Sequence, residues 1–266
     1  MGKYLLRYGV LTYLALLLVV PIGLVAYRTF ENGIGPVWDA LTSPQAISAI
    51  KLSLLITAIA VPVNVVFGVA TAWFLSRRKM PVPWLVNAMI NLPFAMSPVV
   101  IGLAVYQLYS RDGWIGQHLF AENIPFLFTW RAMAVATMFV SLPFVVREVL
   151  PVLDELGTEQ EQAAEMLGAS ALQSFFRVTL PAIRWAVIYG TILTVARALG
   201  EYGAVNLVSS NVVGQTLTLP LYVQNRVSNF DPTAAYSAGL LLAVISLLIL
   251  SGMTMLGRSG RKEDTV

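Results

Sequence analysis

Apolar residues fall in long runs separated by short polar stretches. The runs lie at about 10–27, 51–75, 82–108, 131–150, 183–208 and 233–256. Each approaches or exceeds the roughly 20 residues that a helix needs to cross the hydrocarbon of a bilayer. The pattern predicts an all-α, polytopic membrane protein of six transmembrane helices, one transmembrane unit over 1–266. The first run also has the length of a signal peptide, but no small-x-small cleavage site follows it, and the expectation is a retained helix. The stretches 28–48, 109–129 and 209–232 read as polar, turn-rich loops. Pro62, Asn64 and Gly68 in the second run suit a kinked helix that packs on other helices. In the third run, Pro93 and Pro98 stand five residues apart around Ser97. They should bend or break that helix, either as a tolerated packing kink or as irregular backbone lining a pathway.

The longest polar segment, Glu159 to Pro181, interrupts this pattern. Thr158 with Glu161, and Ser170 with Gln173, have capping-box spacing. Gly168 lies between the two expected helices, where a residue tolerant of positive φ is needed to end the first. Pro181 disfavours helical geometry at Leu180 and is expected to end the second. The product is a helical hairpin within a loop at 151–182. Leu172, Phe175 and Phe176 make an apolar stripe, and Ala163 and Ala164 permit close approach by another surface. Such a hairpin either rests on lipid headgroups or docks a partner protein.

Composition narrows the chemistry. The chain is 57% hydrophobic and 12% charged, about half the charge of an ordinary soluble domain. It has no cysteine, which excludes disulfides, thiolate metal sites and Cys nucleophiles. The single histidine, His118, sits in a polar loop with no metal constellation around it. No Ser/His/Asp or paired-carboxylate set points to covalent catalysis, and no G-x-x-x-x-G-K-[ST] phosphate loop is present. Placement of charge gives the topology. Lys3, Arg7, Arg77, Arg78, Lys79, Arg147, Arg177, Arg184, Arg258, Arg261 and Lys262 gather on one side; Arg28, Lys51, Arg111, Arg131 and Arg226 fall on the other. The richer side is expected in the cytoplasm, with both termini and the hairpin.

Arg197 and Glu201 lie within the fifth run, four residues apart and so on one helix face. An unpaired charge at mid-membrane costs roughly 2.5–3.5 kcal/mol on insertion scales. Pairing offsets part of this. The pair is either a brace that fixes helix packing or a polar gate on an anion path.

The segment Gln162-Ala163-Ala164, then Gly168, then Leu180-Pro181, resembles the EAA loop of ABC-transporter permeases. The resemblance implies that Glu161, Gln162, Ala163, Ala164, Gly168, Leu180 and Pro181 couple the chain to a cytoplasmic ATPase. The sequence departs from the family at Gln162, where Glu is usual. Residues 196–204, Ala-Arg-Ala-Leu-Gly-Glu-Tyr-Gly-Ala, look like a signature shared by sulfate/thiosulfate and molybdate permeases. The runs 92–100, 142–148 and 183–186 are similar to the sulfate branch, and to the second of its two paired permease subunits. The resemblance implies a type I ABC importer permease fold with cytoplasmic coupling helices, in a bacterial inner membrane. It also implies a translocation path or gate at Arg197, Glu201, Ser97 and Pro98. Its implied partners are a homologous permease subunit, two copies of the ATPase, an extracytoplasmic sulfate-binding protein and the lipid bilayer, with no nucleic acid. No cofactor is expected on this chain; ATP and Mg would belong to the ATPase. A molybdate or tungstate permease, and an ATPase-independent anion carrier using Arg197 and Glu201, are the alternatives.

Overall fold

The computed structural model describes the backbone over 2–77 and 83–263, and side chains over 6–77 and 84–252. Arg78, Lys79 and the Val82 start of the expected third span lie outside the described residues, as do the side chains of Lys3, Arg258, Arg261 and Lys262. Every described element is helical. In chain order they are α1 (Gly2–Phe30), α2 (Ile34–Thr42), α3 (Pro44–Arg77), α4 (Pro83–Ala95), α5 (Pro98–Tyr109), α6 (Gly116–Ala121) and α7 (Trp130–Leu156). There follow α8 (Glu159–Met166), α9 (Ala171–Ser174), a π-helical turn (Phe175–Thr179) and α10 (Leu180–Ala182). The chain closes with α11 (Arg184–Leu199), α12 (Gly203–Val208), α13 (Leu219–Ser228) and α14 (Pro232–Glu263).

Four helices are individually long and apolar enough to cross a membrane: α1, α3, α7 and α14. Two bent pairs raise the number to six if each pair is one span: α4 with α5, bent by 109°, and α9–α10 with α11, bent by 72°. The three expected loops are not irregular throughout. They contain α2, α6 and α13. In α13 the side chains of Leu219, Leu221 and Tyr222 are buried, while Gln224, Asn225 and Ser228 give the segment a polar average that hid its helical period. The expected fifth span is interrupted between Leu199 and Gly203.

The bundle is centred on α7, which packs between α3 and α11. Small residues set how closely. A Cβ on Gly68 of α3 would lie 2.7 Å from the Cβ of Val145, and one on Gly190 of α11 would lie 2.9 Å from the Val145 Cα. Val145 is fully buried between them. Without a strong hydrophobic force between helices in lipid, such close van der Waals approach and interhelical hydrogen bonds hold the bundle. Asn64 of α3 supplies the bonds: its Nδ2 donates to the Met138 carbonyl at 3.0 Å and to Ser141 Oγ at 2.9 Å.

Buried apolar side chains form two clusters along the bundle. One contains Ala46, Ile56, Met133, Val205, Leu219 and Tyr222. The other, at the end where α3 and α7 finish, contains Val69, Ala72, Val149, Leu153 and Ile183. Helix α1 lies outside both, against α14 and α2, and its most apolar window has no buried residue. That face is apolar and exposed.

Gly68→Ala should therefore cost about 1–3 kcal/mol by overpacking against Val145. Gly239→Ala, whose Cβ would meet nothing within 4 Å, should be neutral or stabilising by up to about 1 kcal/mol through helix propensity. Thermal unfolding of the detergent-solubilised protein compares the two.

Candidate functional site

Two places combine polar chemistry with irregular backbone. The first is the hairpin at the end of α3 and α7. Helix α8 ends in a Schellman motif: Ala169 N–H donates to the Ala164 carbonyl at 3.0 Å and Gly168 N–H to the Glu165 carbonyl at 2.9 Å. The motif needs a left-handed residue, and Gly168 supplies it with φ 89°. The Ser170–Gln173 capping box forms as expected. The Thr158–Glu161 box does not: Thr158 makes no side-chain cap. Its Oγ1 instead accepts from Gln162 Nε2 at 3.1 Å.

Glu161 is turned away from Thr158 by stronger partners. Arg77 Nε donates to its Oε2 at 2.8 Å, and Thr179 Oγ1 donates to its Oε1 at 2.5 Å. A charge-assisted pair of this kind outweighs a neutral cap. Sequence reading missed Arg77 and Thr179, because their partners lie 84 and 18 residues away in the chain. Pro181 also departs from expectation. The helix does not end there; Pro181 occupies the first turn of α10. The π-helical turn before it changes the bonding register, so the missing N–H and the bulk of the ring are accommodated. The chain turns two residues later, at Ile183. Leu180 is half-buried against the cluster at the end where α3 and α7 finish. Gln162 and Ala163 are exposed, and Ala164 is half-buried. Around them Met166 is 84% exposed, Leu167 89% and Leu172 70%.

The second place is a junction of two breaks. Helices α4 and α5 part at Ser97, the N-cap residue of α5, and Pro98 takes the first helical position. Ser97 is exposed and makes no side-chain cap. Helices α11 and α12 part at Gly200–Tyr202, and α12 packs on α5. Contact is close enough that a Cβ on Gly203 would lie 2.9 Å from Pro98 Cβ, and one on Gly102 only 2.5 Å from the Ala204 carbonyl oxygen. The two breaks thus face each other.

Glu201 occupies the second break and is 2% exposed. Its Oε2 pairs with Arg197 Nη1 at 2.6 Å, and its Oε1 accepts from Ala204 N–H at 2.8 Å. One carboxylate therefore joins the end of α11 to the start of α12. The Arg197 side chain is 29% exposed, unlike its buried partner. Beyond α12, the 209–216 segment closes on itself. Ser209 Oγ donates to the Thr216 carbonyl at 2.5 Å, and the Thr216 hydroxyl lies 2.7 Å from that of Ser210. Beside it, Asn206, Asn211, Gln224, Asn225 and Ser228 line a cleft of about 180 Å³. His118 is exposed on α6. Among the described residues no group of three or more His, Asp or Glu is arranged to hold a metal.

Residues 64–262 match the family model of the binding-protein-dependent transport system inner membrane component. The chain belongs to that family. Among curated relatives, this permease is 45% identical over 95% of its length, and 89% of theirs, to the sulfate transport system permease protein CysW of Synechococcus elongatus. It is 41% identical over 96% of its length to CysW of Escherichia coli, covering 88% of that protein. The sulfate transport system permease protein CysT of Salmonella typhimurium is 40% identical over 95% of this permease and 91% of that protein. Its fold is that of a solved bacterial alginate ABC transporter in complex with an alginate pentasaccharide-bound periplasmic protein. The TM-score is 0.80 at 17% identity, over 97% of this permease and 94% of that chain. The permease is therefore an all-α, polytopic membrane protein with an ABC-transporter-like fold, a CysW/CysT-type transport subunit rather than a catalytic one.

Glu201→Leu removes both the partner of Arg197 and the acceptor for Ala204 N–H, and should destabilise the permease by about 3 kcal/mol. Glu201→Gln keeps an acceptor for Ala204 and should cost about half as much. Detergent-solubilised thermal melts measure the ordering.

Proposed function

We propose that the permease is the second, W-type membrane subunit of an ATP-driven importer of sulfate and thiosulfate. Its relatives named for sulfate transport match it over nearly its whole length. In this reading it pairs with a homologous permease subunit, stands on two copies of an ATPase that bind ATP and Mg, and receives the anion from an extracytoplasmic binding protein. It lies in a bacterial inner membrane with both termini and the hairpin in the cytoplasm. Six spans surround the path, the third bent at Ser97 and the fifth broken between α11 and α12.

The hairpin is the observation that carries this reading. Its base is tied to α3, while Met166, Leu167, Leu172 and Phe176 stand exposed at the end of the bundle. Apolar groups presented in this way on a capped, rigid turn are what a partner's cleft requires. Gln162, Ala163, Ala164 and Gly168 lie on that docking element, with Glu161, Leu180 and Pro181 at its base. ATP-driven closure of the partners displaces the hairpin and shifts the spans between inward- and outward-facing states. The facing breaks at Ser97-Pro98 and Arg197–Glu201 form the gate. Irregular backbone at membrane depth is tolerated where it lines a cavity or is buried in protein, and the partly exposed Arg197 attracts the oxyanion.

Radiolabelled sulfate uptake by a strain lacking the permease should return when the gene is restored, and excess unlabelled molybdate should leave it intact. Competition by molybdate would instead support the molybdate reading. Gly168→Pro cannot adopt φ 89°; it should insert normally yet abolish uptake. Normal uptake by a correctly inserted Gly168→Pro variant would overturn the coupling role.

A further inference from the structure

A displaced hairpin moves the spans only if something stiff joins them. Helix α8 has no buried residue, so packing alone does not anchor it. The chain reaches α8 through Gly157, at a positive φ of 64° that favours glycine, with no atom from elsewhere in the chain within 4 Å of where its Cβ would stand. Glu161 is the charged side chain of α8 that turns inward, tied at both carboxylate oxygens.

We propose that Arg77, Glu161 and Thr179 form a clutch that transmits movement of the hairpin into α3 and α7; this rests on the coupling role proposed above. Glu161 is then a positioning residue rather than a contact to the ATPase. The geometry is that of a shared node. Arg77, on the last turn of α3, donates from Nε to Glu161 at 2.8 Å and from Nη1 to the Leu153 carbonyl of α7 at 3.1 Å. The same Nη1 donates to Ser76 Oγ at 3.0 Å, and Ser76 Oγ donates to Asp154 of α7 at 2.5 Å. Thr179 closes the other side, joining Glu161 to the second arm of the hairpin. One ion pair thus links α3, α7 and both arms.

Two features suit the node to carrying load. The Arg77 and Glu161 side chains are only 10% and 16% exposed, so salt screens their attraction less than it would a surface pair. The π-helical turn Phe175–Thr179 also has a role here. A helix turns about 100° per residue, so the wider π turn changes the direction in which Thr179 points, and in this fold Thr179 points at Glu161. Edge-to-face stacking of Phe175 on Trp73, one turn before Arg77 on α3, with centroids 5.9 Å apart, holds the same arm against α3.

The test uses the whole transport complex, purified through a tag on the permease and reconstituted in proteoliposomes with its binding protein. Copurified ATPase, ATP hydrolysis and sulfate transported per ATP are measured together. Glu161→Gln, Arg77→Met and Thr179→Val should retain the ATPase and continue to hydrolyse ATP. Sulfate moved per ATP should fall about tenfold in the first two, the size of an ordinary coupling free energy, and less in Thr179→Val. Arg77→Met also loses the bonds to Leu153 and Ser76 and should be the poorer single variant; adding Glu161→Gln to it should cost little more, since the Arg77–Glu161 bond is already cut. A merely structural role would lower assembly or total activity and leave the ratio of transport to hydrolysis unchanged. That result, or a wild-type ratio in Glu161→Gln, overturns the clutch. Should Glu161→Gln fail to assemble, Thr179→Val decides by the same ratio. If the wild-type permease brings down no ATPase at all, the coupling reading itself fails.

Discussion

Backbone hydrogen bonding is the constraint on which this structure depends. Hydrocarbon offers no water to an exposed N–H or C=O, so an uninterrupted helix is the default solution and each interruption needs its own partners. The long helices α1, α3, α7 and α14 follow the default. The interruptions are the informative parts, and each has a local chemical answer. At the break between α11 and α12, the Glu201 carboxylate accepts the Ala204 N–H. At the break between α4 and α5, Pro98 removes one donor that would otherwise need an acceptor. In the hairpin, the Gly168 Schellman motif and the Ser170 box satisfy the groups exposed at the turn.

The interruptions are also placed by packing. Gly203 and Gly102 let α12 press against α5, so the two membrane breaks share one junction. Gly68 and Gly190 press α3 and α11 onto Val145, which makes α7 the shared spine of the bundle. The end of that spine, Leu153 and Asp154, is where the Arg77 network begins. A rigid spine, a hydrogen-bonded node and an exposed capped hairpin therefore form one continuous body. The facing breaks lie on elements packed against that same spine. This continuity connects the hairpin to the facing breaks through packed elements.

Charge is used sparingly, and two ion pairs, Arg197–Glu201 and Arg77–Glu161, sit where helices meet. Arg197 and Glu201 illustrate the balance between cost and purpose. A buried pair of this kind adds little net stability over apolar residues, yet removing one member leaves the other uncompensated. Retaining it at a break, where the same carboxylate also caps a helix, gives the pair a job that leucines cannot do. Arg77 and Glu161 follow the same logic at the end of the bundle, where the fold brings distant segments of the chain together.

Much was determined by the sequence alone. Long apolar runs identify the membrane helices, because hydrocarbon sets their length. Gly168 announces the hairpin turn, because left-handed backbone favours glycine. Arg197 and Glu201 announce their pairing by helical spacing. All three are local signals, fixed by a residue and its near neighbours. The tertiary structure decided the rest. It chose Arg77 and Thr179 over Thr158 as the partners of Glu161, carried the helix through Pro181 by a π turn, and set the breaks at Ser97 and Glu201 against each other. Those outcomes depend on which surfaces meet after the helices pack. A charged side chain takes the strongest partner the packed bundle offers, and no spacing along the chain records which one that will be.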